Sequence, residues 1–375
     1  MFSSLALRGV NKSFPTPGTN KPLQVLFDFS FEARPGKFVV FLGPSGCGKS
    51  TALRLIAGLE RPQSGEIVID GRVVNDVPPA RRKLAMVFQS YALFPHLSAA
   101  ENILFGLKVR RVPKKERDQR LETVAAQLEL TDFLKRKPLQ LSGGQQQRVA
   151  LGRALVSGAS LILMDEPLSN LDAKLRQQMR TELRDLQRRL GLTVIYVTHD
   201  QVEAMTMADQ VVVMREGRID QIDDPWTLYR TPCRTEVAKF IGSPPMNILT
   251  CLVTEEGLQI KGTRHDIALD HHGLETGQMV SLGVRPEDLL LDQGEISLDA
   301  RLLSRELLGA DQIARFDIGA NDPLIARVHN AERLVEGRRY HVGLRTEDIH
   351  LFDGGSGERI EIFRDKAASS AVSLT

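Results

Sequence analysis

Two stretches of the sequence carry residues whose types and spacing suit chemistry on a phosphate. The first is Gly43, Pro44, Ser45, Gly46, Cys47, Gly48, Lys49, Ser50 and Thr51. It fits G-x-x-x-x-G-K-[ST], directly follows an apolar run (Lys37–Leu42) and opens a helical pattern (Lys49–Leu59), the context that confirms such a loop. Its glycines bare successive backbone N–H groups that can surround β- and γ-phosphates. Lys49 can neutralise phosphate oxygens, and Ser50 offers a hydroxyl to Mg²⁺. Cys47 reads as a small filler, not a catalyst. The signal is strong for a nucleoside triphosphate and weak for the process it drives.

The second stretch runs from Leu141 to Asp172, LSGGQQQRVALGRALVSGASLILMDEPLSNLD. Ser142, Gly143, Gly144 and Gln145 form a turn that opens a helix. The two glycines let backbone N–H groups approach an anion closely, and the helix adds its positive dipole end. An apolar strand, Ser160–Met164, then delivers Asp165 and Glu166. Asp165, at the mouth of a buried strand, can hold Mg²⁺ directly or through water. Glu166 can orient and deprotonate an attacking water.

These residues need a sheet to bring them together. Leu84–Phe88 reads as a strand ending at Gln89, and Thr193–Val197 as one ending in Thr198, His199 and Asp200. Open α/β sheets bind ligands at the carboxyl ends of their strands. His199 is either a satisfied structural histidine or a γ-phosphate contact, and that position favours the contact. Residues 5–12 and 25–33 read as strands around the polar loop Pro15–Pro22, with Phe14 just before it. Phe14 is either hairpin core or a ring on which adenine stacks. Tyr91, Leu93 and Phe94 are either core residues under a turn or the border of a groove that receives a partner's helix.

Residues 90–157 read as a mostly helical insertion, with Glu116–Leu130 at helical spacing and the basic run Lys108–Arg120 as a solvated helix face. No aromatics are interleaved with that run and acids interrupt it, which argues against nucleic acid. Ala173–Leu190 is a helix, Gln210–Met214 and Arg218–Ile222 form a hairpin around Glu216 and Gly217, and Pro225–Arg230 and Arg234–Ile241 are short helices.

Near Gly242-Ser-Pro-Pro-Met-Asn247 the composition shifts to short alternating strands with glycine turns. The strands read at Leu249–Val253, Ile267–Leu269, Met279–Val284, Ile296–Leu303, Gln312–Ile318, Leu324–Val328 and Arg339–Leu344 predict an all-β domain of barrel or sandwich type. Residues 284–288 (VRPED) and 344–348 (LRTED) suggest a weak internal duplication, and Ala367–Thr375 reads as a disordered tail. The domain reading is 1–235 for the α/β part, with its helical subdomain at about 90–157, and 236–375 for the β part.

A chain of 375 residues has room for two or three domains, and a net charge of +2 gives no bulk field for nucleic acid. The three cysteines, Cys47, Cys233 and Cys251, have no metal or disulfide spacing, which suits a reducing compartment. Residues 1–10 do not read as a signal peptide, and no apolar run approaches the ~20 residues that span a bilayer. If the protein serves a membrane, other chains do the crossing.

Taken together, these motifs resemble those of an ATP-binding cassette (ABC) ATPase over about residues 5–235. Gly43–Thr51 matches the family's phosphate loop, Leu141–Gln145 its signature turn, Leu161–Glu166 its second phosphate-site strand, Gln89 its glutamine loop, Ser169–Asp172 its D-loop and His199 its switch histidine. Phe14 stands where the family places its base-stacking aromatic, although a longer polar loop follows it here. The resemblance implies an α/β P-loop NTPase cassette with a helical subdomain, and a C-terminal all-β domain of OB-like, TOBE type. It implies ATP and Mg²⁺ as cofactors, with Ser50, Gln89 and Asp165 as metal ligands, Glu166, His199, Lys49 and Gln89 as catalytic residues, and Asp172 at the nucleotide.

FIGSPPMNIL (240–249), GVRPEDL (283–289), HLFD (350–353) and DEPLSNLDAKLR (165–176) are similar to the subgroup that energises bacterial importers of sugars and glycerol phosphates. Subunits serving polyamines, sulfate or ferric iron share much of the pattern. The resemblance implies a peripheral protein on the cytoplasmic membrane face, two transmembrane permease subunits, an external solute-binding protein and no nucleic acid. Soluble ABC ATPases acting on ribosomes or DNA usually carry two cassettes or a long coiled coil, and this chain has one cassette and no sustained heptads. The signature turn should lie too far from its own phosphate loop, so a two-fold dimer, with itself or a related ATPase, would pair each turn with the partner's loop. Gln89 and the apolar stretch after it are placed to report nucleotide state to a docked permease helix.

Overall fold

The computed structural model describes residues 3–16, 18, 21–269, 273–329 and 333–361. The tail read at 367–375 and three residues of the Pro15–Pro22 loop (17, 19 and 20) lie outside the described residues. The chain divides into one unit ending at Leu228 and a second beginning at Tyr229.

In the first unit, β1 (Leu5–Phe14) pairs antiparallel with β2 (Leu23–Ala33), and β3 (Phe38–Leu42) leads into α1 (Lys49–Ala57). β4 (Ser64–Ile69) and β5 (Arg72–Val73) complete a sheet ordered β2-β1-β4-β5. The larger sheet adds β6 (Leu84–Val87), β7 (Leu161–Asp165), β8 (Thr193–Thr198), β9 (Gln210–Arg215) and β10 (Arg218–Asp223), in the order β10-β9-β3-β8-β7-β6. All its pairings are parallel except the β9–β10 hairpin. A parallel sheet covered on both faces selects continuous apolar strands, and β3 and β8 are buried at every position. Phe29 and Phe31 of β2 meet Phe41 of β3 edge to face, with centroids 5.7 and 4.9 Å apart, which ties the smaller sheet to the larger.

Between β6 and β7 lie α2 (Ala99–Val109), α3 (Lys114–Gln127) and α4 (Gly143–Leu155). Within the insertion read over 90–157 the first helix begins at Ala99. Residues 94–98 are instead held by Asn102, fully buried, which bonds both the N–H and the carbonyl of Phe94. Ser98 and Glu101 form a reciprocal capping box that fixes the start of α2. The basic run 108–120 is not one helical face: α2 stops at Val109, Arg111 is left-handed (φ 58), and Pro113 precedes α3 because proline suits a helix start and not its interior. α5 (Ala173–Leu190) has the span read from sequence, and α6 (Gln201–Met207) is an additional helix capped by Asp200.

The second unit follows α7 (Pro225–Arg230) with α8 (Thr235–Phe240) and then strands. They are β11 (Asn247–Thr254), β12 (Gly257–Ile260), β13 (Asp266–Ile267), β14 (Met279–Val284), β15 (Leu290–Leu291), β16 (Ile296–Leu307), β17 (Asp311–Asp317), β18 (Leu324–His329), β19 (Arg339–Leu344), β20 (His350–Asp353) and β21 (Arg359–Ile360). They form two sheets, β13-β12-β11-β14-β20-β21 and β15-β19-β16-β17-β18, around one apolar cluster. The duplication is visible as a crossed pairing. β14 and β19 each run into a 3₁₀ turn (Pro286–Asp288, Thr346–Asp348) and then a short strand, and each pairs with the strand that follows the other's turn: β14 with β20, β19 with β15.

Candidate nucleotide-binding site

Parallel strands bring their carboxyl ends to one edge. β3, β8, β7 and β6 are consecutive neighbours in the sheet, so the Gly43 loop, His199, Asp165 with Glu166, and Gln89 all emerge along that edge in spatial order. Strands about 4.8 Å apart put the whole set within ~15 Å.

The Gly43–Thr51 loop is shaped by close approaches. A Cβ at Gly43 would stand 2.2 Å from the Met214 carbonyl oxygen, and one at Gly48 (φ 103) 2.9 Å from that of Val25. Neither position admits another residue without the loop moving. Gly48 is the N-cap of α1 and makes no side-chain cap, so the first N–H groups of the helix face outward as anion donors. Lys49 is 5% exposed, and its Nζ donates to the carbonyls of Gly43 (2.7 Å) and Pro44 (2.8 Å). Cys47 is buried; burial pushes its thiol pKa up against the opposing pull of Lys49, which suits a filler and not a nucleophile.

Ser50 Oγ donates to Asp165 Oδ1 at 2.8 Å, so two of the residues read as Mg²⁺ ligands touch directly. Burial raises the Asp165 pKa, and the Ser50 hydrogen bond, Arg54 and Lys49 oppose it. A carboxylate beside a hydroxyl, both oxygen donors next to a phosphate loop, fits Mg²⁺, which is usually held by one or two carboxylates plus substrate phosphates. No group of three or more His, Cys, Asp or Glu side chains able to hold a metal ion occurs among the described residues.

Glu166 sits just beyond β7 with φ 43; its N–H donates to the Val197 carbonyl, and its carboxylate lies 3.2 Å from His199 Nδ1. The residues flanking His199 are held in place. Thr198 Oγ1 and Tyr196 OH both donate to the buried Glu203 (2.6 and 2.8 Å), and Asp200 caps α6. Gln89 Nε2 reaches Ser169 Oγ at 3.4 Å, Ser169 Oγ donates to the Glu166 carbonyl at 2.9 Å, and Asn170 Nδ2 donates to the Gln89 carbonyl at 2.9 Å. The glutamine, the carboxylate and the histidine are thus one connected set. Ser169 and Asn170 are the links that sequence reading did not single out individually.

Ser142 and Gln145 form a second reciprocal capping box at the start of α4. Cβ atoms on Gly143 and Gly144 would stand 3.1 Å from Leu171 and 3.2 Å from Leu175, so the turn packs on the start of α5. Asp172 caps α5 by accepting from the Leu175 N–H at 2.9 Å. Phe14 ends β1 opposite Leu23, half-buried, with the Lys12 ammonium 4.6 Å from its ring centroid. It belongs to the hairpin whose Val25 and Leu26 border Gly48. Tyr91 is 4% exposed and is core, whereas Phe94 stacks on Phe105 (centroids 4.4 Å apart) and lines a groove of about 280 Å³.

This arrangement is that of a P-loop nucleotide-binding cassette. Residues 26–169 match the ABC transporter family, residues 242–289 the MalK OB fold domain and residues 282–352 the TOBE domain. The chain is 46% identical over 372 residues to the sn-glycerol-3-phosphate import ATP-binding protein UgpC of Cupriavidus metallidurans, covering 96% of this chain and 99% of that protein. It is likewise 46% identical over 372 residues to the maltose/maltodextrin import ATP-binding protein MalK of Mannheimia succiniciproducens, covering 96% and 98%. A dimeric post-hydrolysis structure of the ATP-binding cassette MJ0796 bound to ADP and Pi matches with TM-score 0.53 and 32% identity, over 59% of this chain and 98% of that one. The chain belongs to the family of ABC import ATP-binding proteins. No helix among the described residues is long and apolar enough to cross a membrane.

Proposed function

We propose that the chain is the ATP-hydrolysing subunit of an importer, coupling ATP binding and hydrolysis to uptake of a sugar or a glycerol-phosphate-type solute. The observation that carries this reading is the convergence of Lys49, Ser50, Asp165, Glu166, His199 and Gln89 on one sheet edge, in a chain that aligns over nearly its full length with import ATP-binding proteins. Lys49 and the N–H groups of 43–51 hold the phosphates. Ser50 and Asp165, with Gln89, hold Mg²⁺, which when bound neutralises phosphate charge. Glu166 orients and deprotonates the attacking water, and His199 contacts the γ-phosphate.

Ser142–Gly144 serve a second cassette. The turn caps its own helix and packs on Leu171 and Leu175 at the start of α5, and Ser142 is exposed. In a two-fold dimer the turn meets the partner's phosphate loop. Closure around ATP then does work on the permeases if ATP binds the closed state more tightly than the open one. The groove beside Phe94 and Phe105 receives a permease helix, and the β domain (236–375 by the sequence reading) is regulatory or dimer-forming. Two permeases, an external solute-binding protein and a place on the cytoplasmic membrane face follow from the same reading.

The test is a pull-down of tagged Glu166→Gln chain from detergent-solubilised native membranes with ATP and Mg²⁺ present. Two multi-spanning proteins are expected to co-purify. Ribosomal or DNA-repair proteins with no membrane partner would overturn the importer reading.

A further inference from the structure

The segment after Gln89 is strained and pinned. Tyr91 and Ala92 are consecutive non-glycine residues in the left-handed region (φ 59 and 45), a conformation that side chains with a Cβ rarely take, least of all in pairs. It persists only where surroundings over-determine it. The Tyr91 N–H donates to the Phe88 carbonyl at 2.9 Å and its side chain is buried, while the carbonyls of both residues are taken by one guanidinium. Arg153, on α4, donates through Nη2 to the Tyr91 carbonyl and through Nη1 to the Ala92 carbonyl, both at 2.7 Å. Upstream, Asn170 holds the carbonyl of Gln89; downstream, Asn102 holds both backbone groups of Phe94. Arg153 is thus the middle of three pins, and it alone of the three comes from the helix that begins at Ser142.

We propose that Arg153 is a positioning residue. It locks Tyr91 and Ala92 left-handed and thereby fixes Gln89 relative to Ser169 and Glu166, so that movement of the signature helix is transmitted to the hydrolytic set. The inference rests on the reading that Gln89 stands at the nucleotide. The guanidinium meets the two carbonyls with two nitrogens fixed in one plane, a geometry that the one rotatable nitrogen of a lysine on its shorter, flexible stem does not reproduce. Arg153→Lys keeps the charge and loses the clasp. Released, the pair relaxes toward right-handed or extended backbone and carries Gln89 away from Ser169.

Because Ala92 is exposed, its conformation can be addressed without touching Arg153 or the core. Valine, branched at Cβ, disfavours the left-handed region; glycine enters it freely. The experiment measures ATP hydrolysis and fluorescent-nucleotide binding on the purified full chain, with thermal melts, for the wild type, Arg153→Lys, Ala92→Val, and Arg153→Lys with Ala92→Gly. Arg153→Lys and Ala92→Val are each expected to lower kcat about tenfold to a hundredfold, the usual result of sub-ångström to ångström misplacement, with KM and nucleotide affinity nearly unchanged. Adding Ala92→Gly to Arg153→Lys is expected to recover most of kcat. Wild-type kcat in Ala92→Val overturns the inference, and so does a loss in Arg153→Lys that glycine does not repair. Should Arg153→Lys fail to fold, Ala92→Val decides alone. A wild-type chain with no ATP hydrolysis under any condition would instead sink the underlying functional reading.

Discussion

His199 Nδ1 lies 3.2 Å from Glu166 Oε2, across the gap between the ends of the adjacent strands β8 and β7. A carboxylate only accepts, so in this contact the ring donates from Nδ1 and leaves Nε2 to face the site. The ring can then donate to a phosphate oxygen through Nε2 only as the imidazolium, or through Nδ1 only if its contact with Glu166 breaks. Either way the two residues act as a unit.

Glu166→Gln keeps the shape and a hydrogen-bonding partner for His199 but cannot accept a proton from water. ATP turnover is expected to fall by roughly 10²–10⁴-fold, the usual worth of a general base, with nucleotide affinity preserved. A steady-state ATPase assay beside a nucleotide-binding titration checks this. Turnover near the wild-type rate removes Glu166 from the role.

Lys49 holds its own loop closed through the Gly43 and Pro44 carbonyls while presenting a charge where phosphates would lie. Lys49→Ala deletes a charge-assisted contact, worth about 1.5–3 kcal/mol, or roughly ten- to more than a hundredfold in affinity. Weaker ATP binding and lost hydrolysis are expected, with the chain still folded by melting. Unchanged affinity in the variant counts against the phosphate-loop assignment.

Legibility from sequence followed the physics of each signal. The turn of 43–48 into α1, the strand that ends at Asp165 and the helix α5 are readable because their signals are local: fixed spacing, buried strands, and a helix bounded by Asp172 and Gly191. α2 falls inside the mostly helical reading of 90–157 without bounds of its own, because Pro95 interrupts the apolar run, although Ser98 and Glu101, three apart, mark its start; at α6 Asp200 alone makes the cap. Strands as short as β13 and β15 hold too few residues for a period-two pattern. Arg153 to Tyr91 and Asn170 to Gln89 join residues about sixty to eighty positions apart (separations of 62 and 81), which no local pattern encodes.

Asp288, at the first of the two duplicated turns, has its pKa raised to about 6 by burial and by the nearby Asp348 and Glu287 charges, against Arg230 and Arg345. A carboxyl with a raised folded-state pKa favours the folded chain while protonated. That contribution is full below the ordinary value of 3.8 and is lost as pH rises through about 6. Asn in its place stays neutral throughout. Asp288→Asn is therefore expected to melt higher than the wild type at pH 7.5, with the difference shrinking between pH 6 and 4 and vanishing below. Melts of the full chain across that range test it, and a pH-independent difference would remove the carboxyl as its source.

The two turns place arginines at matching positions with opposite fates. Arg285 is 2% exposed, stacks 4.0 Å above the Tyr229 ring, and donates to the carbonyls of Tyr229 (2.7 Å), Ala238 (3.2 Å) and Ile241. Arg345 lies at the surface and pairs with Asp348 and Glu347. Burial lowers the Arg285 pKa, yet three carbonyl acceptors and an aromatic face compensate the buried charge. Arg285→Ala leaves those carbonyls without their donor and opens a cavity where the side chain packed, and is expected to destabilise the β unit by a few kcal/mol, each buried carbonyl left unpaired costing about 1–3 kcal/mol. Arg345→Ala removes an exposed pair whose charges water already screens, so little change is expected. Urea denaturation of the two variants side by side makes the comparison. Equal midpoints would mean that the buried arginine is not what joins Tyr229 and α8 to the turn, and that the duplicated turns have not diverged in what they support.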